Sequence, residues 1–97
     1  MKNKNLTLDF IEKMGEDYQL NMIIERCLSL SLSIQKLKNV NRKEDYLSYI
    51  EIYNDICERI ADMRMVMEQT EFLFNINEIN THYDNKIREL QKFLLEN

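Results

Sequence analysis

Few residues in this chain belong to types that do chemistry in a recognisable pattern. His82 is the single histidine. It has no serine–acid or cysteine partner in sequence, so nucleophilic catalysis has no support. Cys27 and Cys57 stand far apart, each inside a helical pattern, and are expected to be two buried thiols rather than a disulfide or a metal site. Tyr46, Tyr49 and Tyr53 fall on one side of a helix, where they could stack a base; their spacing reads first as packing. What remains is a set of charges embedded in apolar patterns. Glu25 and Arg26 open "ERCLSLSLSIQKL" at 25–37, and Glu58, Arg59, Asp62 and Arg64 punctuate "CERIADMR" at 57–64. A guanidinium matches a phosphate in bidentate fashion, whereas carboxylates one helical turn apart share a face and can hold a hard cation. Which chemistry applies depends on the elements that place them.

The chain has 97 residues, no proline and a single glycine, Gly15. Sheets need turn residues, and here they are nearly absent, so long helices joined by short Asn-rich connections are expected. A first short helix is predicted over 8–14, capped by Thr7 and stopped at Gly15. The second is predicted over 16–38. Apolar and serine residues alternate over 28–34, which in isolation is the pattern of a half-buried strand. The alternation is embedded in a longer helical stripe of Leu20, Ile24, Cys27, Ser31 and Ile34, widened by Ile23, Leu30 and Leu37, and no second strand exists to pair with it. The serines then serve as small residues that let a neighbouring helix approach. Leu28 and Leu32 lie off the stripe and imply a second buried face.

"NVNR" at 39–42 is the expected loop, followed by a third helix over 44–74. Its seam is Tyr53, Ile56, Ile60, Met63, Met67, Thr70 and Phe74, at alternating steps of three and four. Met65 and Val66 project elsewhere, so this helix is apolar on several sides and expected to be buried nearly all round, which in so small a protein means self-association. A Met-rich binding surface is the functional alternative. "NINEIN" at 75–80 breaks the helix, with Asn77 expected to cap a last helix over 78–95 whose stripe is Ile79, Tyr83, Ile87, Leu90 and Leu94. The expected architecture is all-α, a single domain over 1–97. It is a bundle of three long helices plus a short N-terminal one, dimerising through the central pair.

The net charge of −4, with both signs mixed along the chain, argues against a nucleic-acid partner. No apolar run approaches a membrane span, and "MKNKNLTLDF" lacks the apolar core of a signal peptide, so a cytoplasmic protein is expected.

Two segments, "GEDYQLNMIIERCLSL" at 15–30 and "ICERIADMRMVMEQTEFLFNI" at 56–76, resemble the MazG-like all-α nucleoside triphosphate pyrophosphohydrolases, in particular the short versions of phages and low-GC bacteria. The final "YDNKIRELQKFL" at 83–94 resembles that family's last helix, so the resemblance runs from Gly15 onward. It implies cleavage of nucleoside triphosphates to monophosphate and pyrophosphate by Mg²⁺ held on carboxylates of the two central helices. Such an ion keeps several waters, one of which can become the nucleophile.

The departures fall where that chemistry should be. The family's Glu-Glu-x-x-Glu is here Glu25, Arg26 and, in the last acidic place, Ser29; its Glu-Glu-x-x-Asp is Glu58, Arg59 and Asp62. Arg64 stands at a further position that is often acidic. Framework residues Gln19, Cys27, Leu30, Ile60, Ala61 and Gln69 are kept, as is Lys86, while Glu89 replaces a common base. Three acid-to-arginine changes move the local charge by about six units, and two guanidiniums about 5 Å apart repel by roughly 3 kcal/mol at an effective dielectric near 20. Three readings follow. In one, the chain is a non-catalytic pseudoenzyme needing no cofactor, in which Arg26, Arg59, Arg64 and Lys86 grip a nucleotide or other anion. In another, the arginines pair with the remaining acids and close the pocket, and the outer surface binds a protein partner, as a phage-type inhibitor would. In the third, Glu25, Glu58 and Asp62 still hold Mg²⁺ in a rebuilt hydrolase, or an acidic paralogue in a mixed oligomer supplies the missing ligands. Each is compatible with a homo-oligomer.

Overall fold

The computed structural model describes residues 4–96. Within them the chain forms four helices and no strand: α1 Lys4–Met14, α2 Glu16–Asn39, α3 Tyr46–Glu71 and α4 Ile76–Glu96. The alternating stretch at 28–34 is helical throughout, and Ser31 Oγ donates to the Cys27 carbonyl 2.9 Å away, one turn back. None of the four helices is long and apolar enough to cross a membrane.

The helix ends follow from local chemistry. Gly15 takes φ 90°, a conformation open to glycine and strained for other residues, and its N–H donates to the Ile11 carbonyl at 2.8 Å to close α1. Thr7, expected as a cap, lies inside α1 and is buried; the helix begins a turn earlier than the 8–14 reading. Asn41 organises the second connection, its Oδ1 accepting from the N–H groups of Lys43 and Glu44. Asp45 then caps α3 by accepting from the Ser48 N–H at 3.2 Å. The α3 helix stops at Glu71 rather than 74, because Phe72, Leu73 and Phe74 each donate to the carbonyl three residues back and tighten into a turn. Asn75, not Asn77, caps α4: its Oδ1 accepts from Asn77 and Glu78 N–H.

Helices α2 and α3 pack antiparallel. Gln19 near the start of α2 bonds to Val66 and Thr70 near the end of α3, and Ser33 near the end of α2 bonds to Asp55 in the first half of α3. The α1 helix lies against both, and α4 runs away from the pair with no buried residue. The core is small: Ile56 and Val66 are its buried apolar residues, beside buried Thr7, Gln19 and Ser33.

Three expectations are corrected here. Of the α2 stripe expected to pack, Ile24 and Ile34 are 56% and 42% exposed and Cys27 and Ser31 are exposed as well, whereas Leu20 and the widening residues Ile23, Leu30 and Leu37 are half-buried; the inward side runs through Gln19, Met22, Ile23, Arg26, Leu30 and Ser33. Cys27 and Cys57 are exposed rather than buried, because both share those outer faces. The α3 helix is not buried all round, since Met65, Met67, Ile60 and Tyr53 lie open.

Candidate functional site

A half-open cavity of about 520 Å³ lies where α1 crosses α2 and α3. Leu6 and Phe10 of α1 wall one side, Met22 and Arg26 of α2 the floor, and the 61–69 stretch of α3 the far side. The helical period explains the grouping. Met22 and Arg26 are one turn apart on α2, and Asp62, Met65 and Gln69 are three to four residues apart on α3, so each set projects from one side of its helix. Four charged residues line the cavity: Arg26 and Arg64 as cations, Asp62 and Glu68 as anions. The remaining wall is predominantly apolar.

Arg26 is the unusual member. It is half-buried, its Nε is shut off from solvent, and that nitrogen has no hydrogen-bond partner. None of the ion pairs among the described residues includes it. A buried donor left without an acceptor costs about 1–3 kcal/mol. Below it, Gln19 spans the helix pair, its Nε2 donating to the Val66 carbonyl at 3.2 Å and to Thr70 Oγ1 at 3.1 Å. The Gln19 Oε1 is buried and unpartnered as well.

Arg59 is placed differently. Its Nε donates to Asp55 Oδ2 at 2.9 Å, and Ser33 Oγ donates to the same oxygen at 2.7 Å. The Ser33 hydroxyl, followed by the Arg59 guanidinium, holds the Asp55 carboxyl below the ordinary aspartate range. Arg59 is thus engaged between α2 and α3 and is not on the cavity wall. Lys86 sits on α4, 3.9 Å from Glu89 with both side chains exposed, and no α4 residue reaches the cavity. The structure therefore brings Arg26 and Arg64 to one cavity and leaves Arg59 and Lys86 elsewhere. The sequence reading missed Asp55 and Ser33, although the four-residue spacing of Asp55 and Arg59 is a signal for their pairing. It also missed α1 as a wall.

The three carboxylates expected to serve magnesium do not gather. Asp62 borders the cavity, while Glu25 and Glu58 are exposed and off its wall. Among the described residues no three His, Cys, Asp or Glu side chains form a group able to hold a metal ion. Arg26 and Arg64 line the same cavity as Asp62, and their positive charge further disfavours a divalent cation there. The residues present do not fit a magnesium site within one chain.

Comparison of the chain with known protein families, with curated proteins and with solved structures yields no match.

Proposed function

We propose that this chain is a non-catalytic relative of the MazG-like nucleoside triphosphate pyrophosphohydrolases that binds the phosphate end of a nucleotide, or a similar small anion, at Arg26 and Arg64. The observation that carries the reading is that Arg26, which takes part in none of the ion pairs among the described residues, lines with Arg64 a cavity large enough for a ligand. A phosphate suits such a residue, because a guanidinium can offer it two parallel N–H groups. The apolar side of the cavity, with Phe10 at its edge, suits the less polar part of such a ligand. Charge balance supports selectivity. Asp62 and Glu68 offset the two arginines when the cavity is empty, so a singly or doubly charged phosphate fits better than a strongly basic or divalent ligand.

Calorimetric titration with nucleoside mono-, di- and triphosphates tests this. Binding is expected in EDTA and unchanged by Mg²⁺. Arg26→Gln should weaken it about tenfold or more, because charge-assisted hydrogen bonds are worth about 1.5–3 kcal/mol. Arg59→Gln, engaged with Asp55 instead, should leave it within about twofold. No heat with any phosphate, or equal loss from both variants, would refute the assignment.

A further inference from the structure

We infer that the end of the helix pair made by the last turn of α2, the 40–45 connection and the start of α3 binds single-stranded nucleic acid. Successive bases stack on Tyr46, Tyr49 and Tyr53, and Arg42 with the lysines around it takes the phosphates. The spacing of these tyrosines reads first as packing, yet the structure leaves them open: Tyr46 is 56% and Tyr53 50% exposed, with Tyr49 half-buried between them. They form a ladder. The Tyr46 and Tyr49 rings lie 6.5 Å apart at an interplanar angle of 21°, and Tyr49 and Tyr53 lie 6.3 Å apart at 31°. The Arg42 guanidinium lies 5.0 Å from the centre of the Tyr49 ring, so a planar group is already accepted on the ladder.

The net charge of −4 is an average over the chain; from residue 26 to residue 43 there are five basic residues and no acid. Four of them, Lys36, Lys38, Arg42 and Lys43, are exposed at this end, and none belongs to an ion pair among the described residues. The acids that follow are Glu44 and Asp45, and the Asp45 carboxylate is engaged with the Ser48 N–H. Asp55, on which the charge of Lys36 also acts, is held by Ser33 and Arg59. Unpaired cations attract any polyanion, an acidic peptide included. The rings decide between them. Stacking bases on aromatic faces along a basic track is how single strands are held, whereas a duplex keeps its bases stacked on one another and out of reach. A ladder of three rings offers more places than the base of one free nucleotide can use. No residue of this end lines the cavity with Arg26 and Arg64, so the inference does not depend on the anion reading.

Fluorescence anisotropy of the full chain with labelled oligo(dT) or oligo(U) of about twelve nucleotides tests this. Binding is expected at about 50 mM salt and should weaken about 20- to 50-fold by about 200 mM, the dependence for three or four phosphate contacts to a single strand. The chain has five tyrosines and no tryptophan, so tyrosine emission reports on the ladder in the unmutated protein and should be quenched by the oligonucleotide. Tyr46→Leu with Tyr53→Leu should weaken binding about fivefold or more at unchanged helical circular dichroism. Arg42→Gln should weaken binding and reduce the salt slope by about one. Arg26→Gln should leave both as they are. No binding at low salt, or unquenched tyrosine emission in the complex, would overturn the inference. So would full affinity in the double tyrosine variant, or duplex DNA bound as tightly as the single strand. Polyglutamate or a mononucleotide that competes as well as the oligonucleotide, at equal concentration of negative charge, would assign this end to an acidic peptide or a free nucleotide and overturn it too.

Discussion

Asp55 Oδ2 receives two donors, the Ser33 hydroxyl from α2 and the Arg59 guanidinium from its own helix. Both favour the ionised carboxylate, so the folded state holds its proton less tightly than the unfolded chain does. The sign follows directly: Asp55 supports the fold above the ordinary aspartate pKa, and that support is lost as pH falls through the lowered folded value. Acid unfolding below roughly pH 4 should therefore be shallower in Asp55→Asn than in the unmutated chain, as followed by helical circular dichroism. An identical acid limb in both would mean that the hydroxyl and the guanidinium do not act on this group. Arg26 has no such partner, and for that reason it, rather than Arg59, is assigned to ligand. Gln19 couples the same two helices from the other end. Its replacement by Ala should cost about 2 kcal/mol in denaturant unfolding, through lost hydrogen bonds and the volume left behind. In sequence the arginines at 26, 59 and 64 look alike, each set in an apolar helical pattern. Only the three-dimensional neighbours, Asp55 for one and a cavity for the others, separate them.

At the scale of elements, the breaks between helices rest on a few residues. Gly15 occupies a backbone region that is essentially reserved for glycine, and a Cβ there would meet no atom within 4 Å. The cost of Gly15→Ala is thus backbone strain alone, about 1–3 kcal/mol in urea unfolding, and a neutral result would show that α1 and α2 merge without penalty. This break was legible in the sequence, as were the four helices, since a chain with no proline and one glycine has few other ways to satisfy its backbone. The finer boundaries were not. "NINEIN" offers two asparagines two residues apart, and the one that caps α4 is decided by the tight turn at 72–74, which periodicity does not report. The face of α2 was misread for a more general reason. Hydrophobic spacing marks every surface that is buried in the working assembly, and does not say which is covered by the same chain. The exposed centre of the stripe is Ile24 and Ile34; its widening residues Ile23, Leu30 and Leu37 are half-buried on the inward side, where Gln19 and Ser33, which a hydrophobicity pattern does not mark, bond to α3.

For the whole molecule, the cavity and the exposed apolar residues lie apart: Arg26 and Arg64 border the cavity that α1 helps to wall, while Tyr53, Ile60 and Met67 of α3 and Tyr83, Leu90 and Leu94 of α4 are exposed and not part of its lining. Asp62 lines the same cavity as Arg26 and Arg64, whereas Glu25 and Glu58 are exposed and off its wall, and among the described residues no three His, Cys, Asp or Glu side chains group to hold a metal ion. The measurement that tests this most directly is a nucleoside triphosphate titration on one sample, first in EDTA and then with excess Mg²⁺, with pyrophosphate assayed at the end. The account predicts the same affinity in both conditions and no pyrophosphate above the protein-free control. Affinity that appears only with Mg²⁺, accompanied by pyrophosphate release, would contradict it.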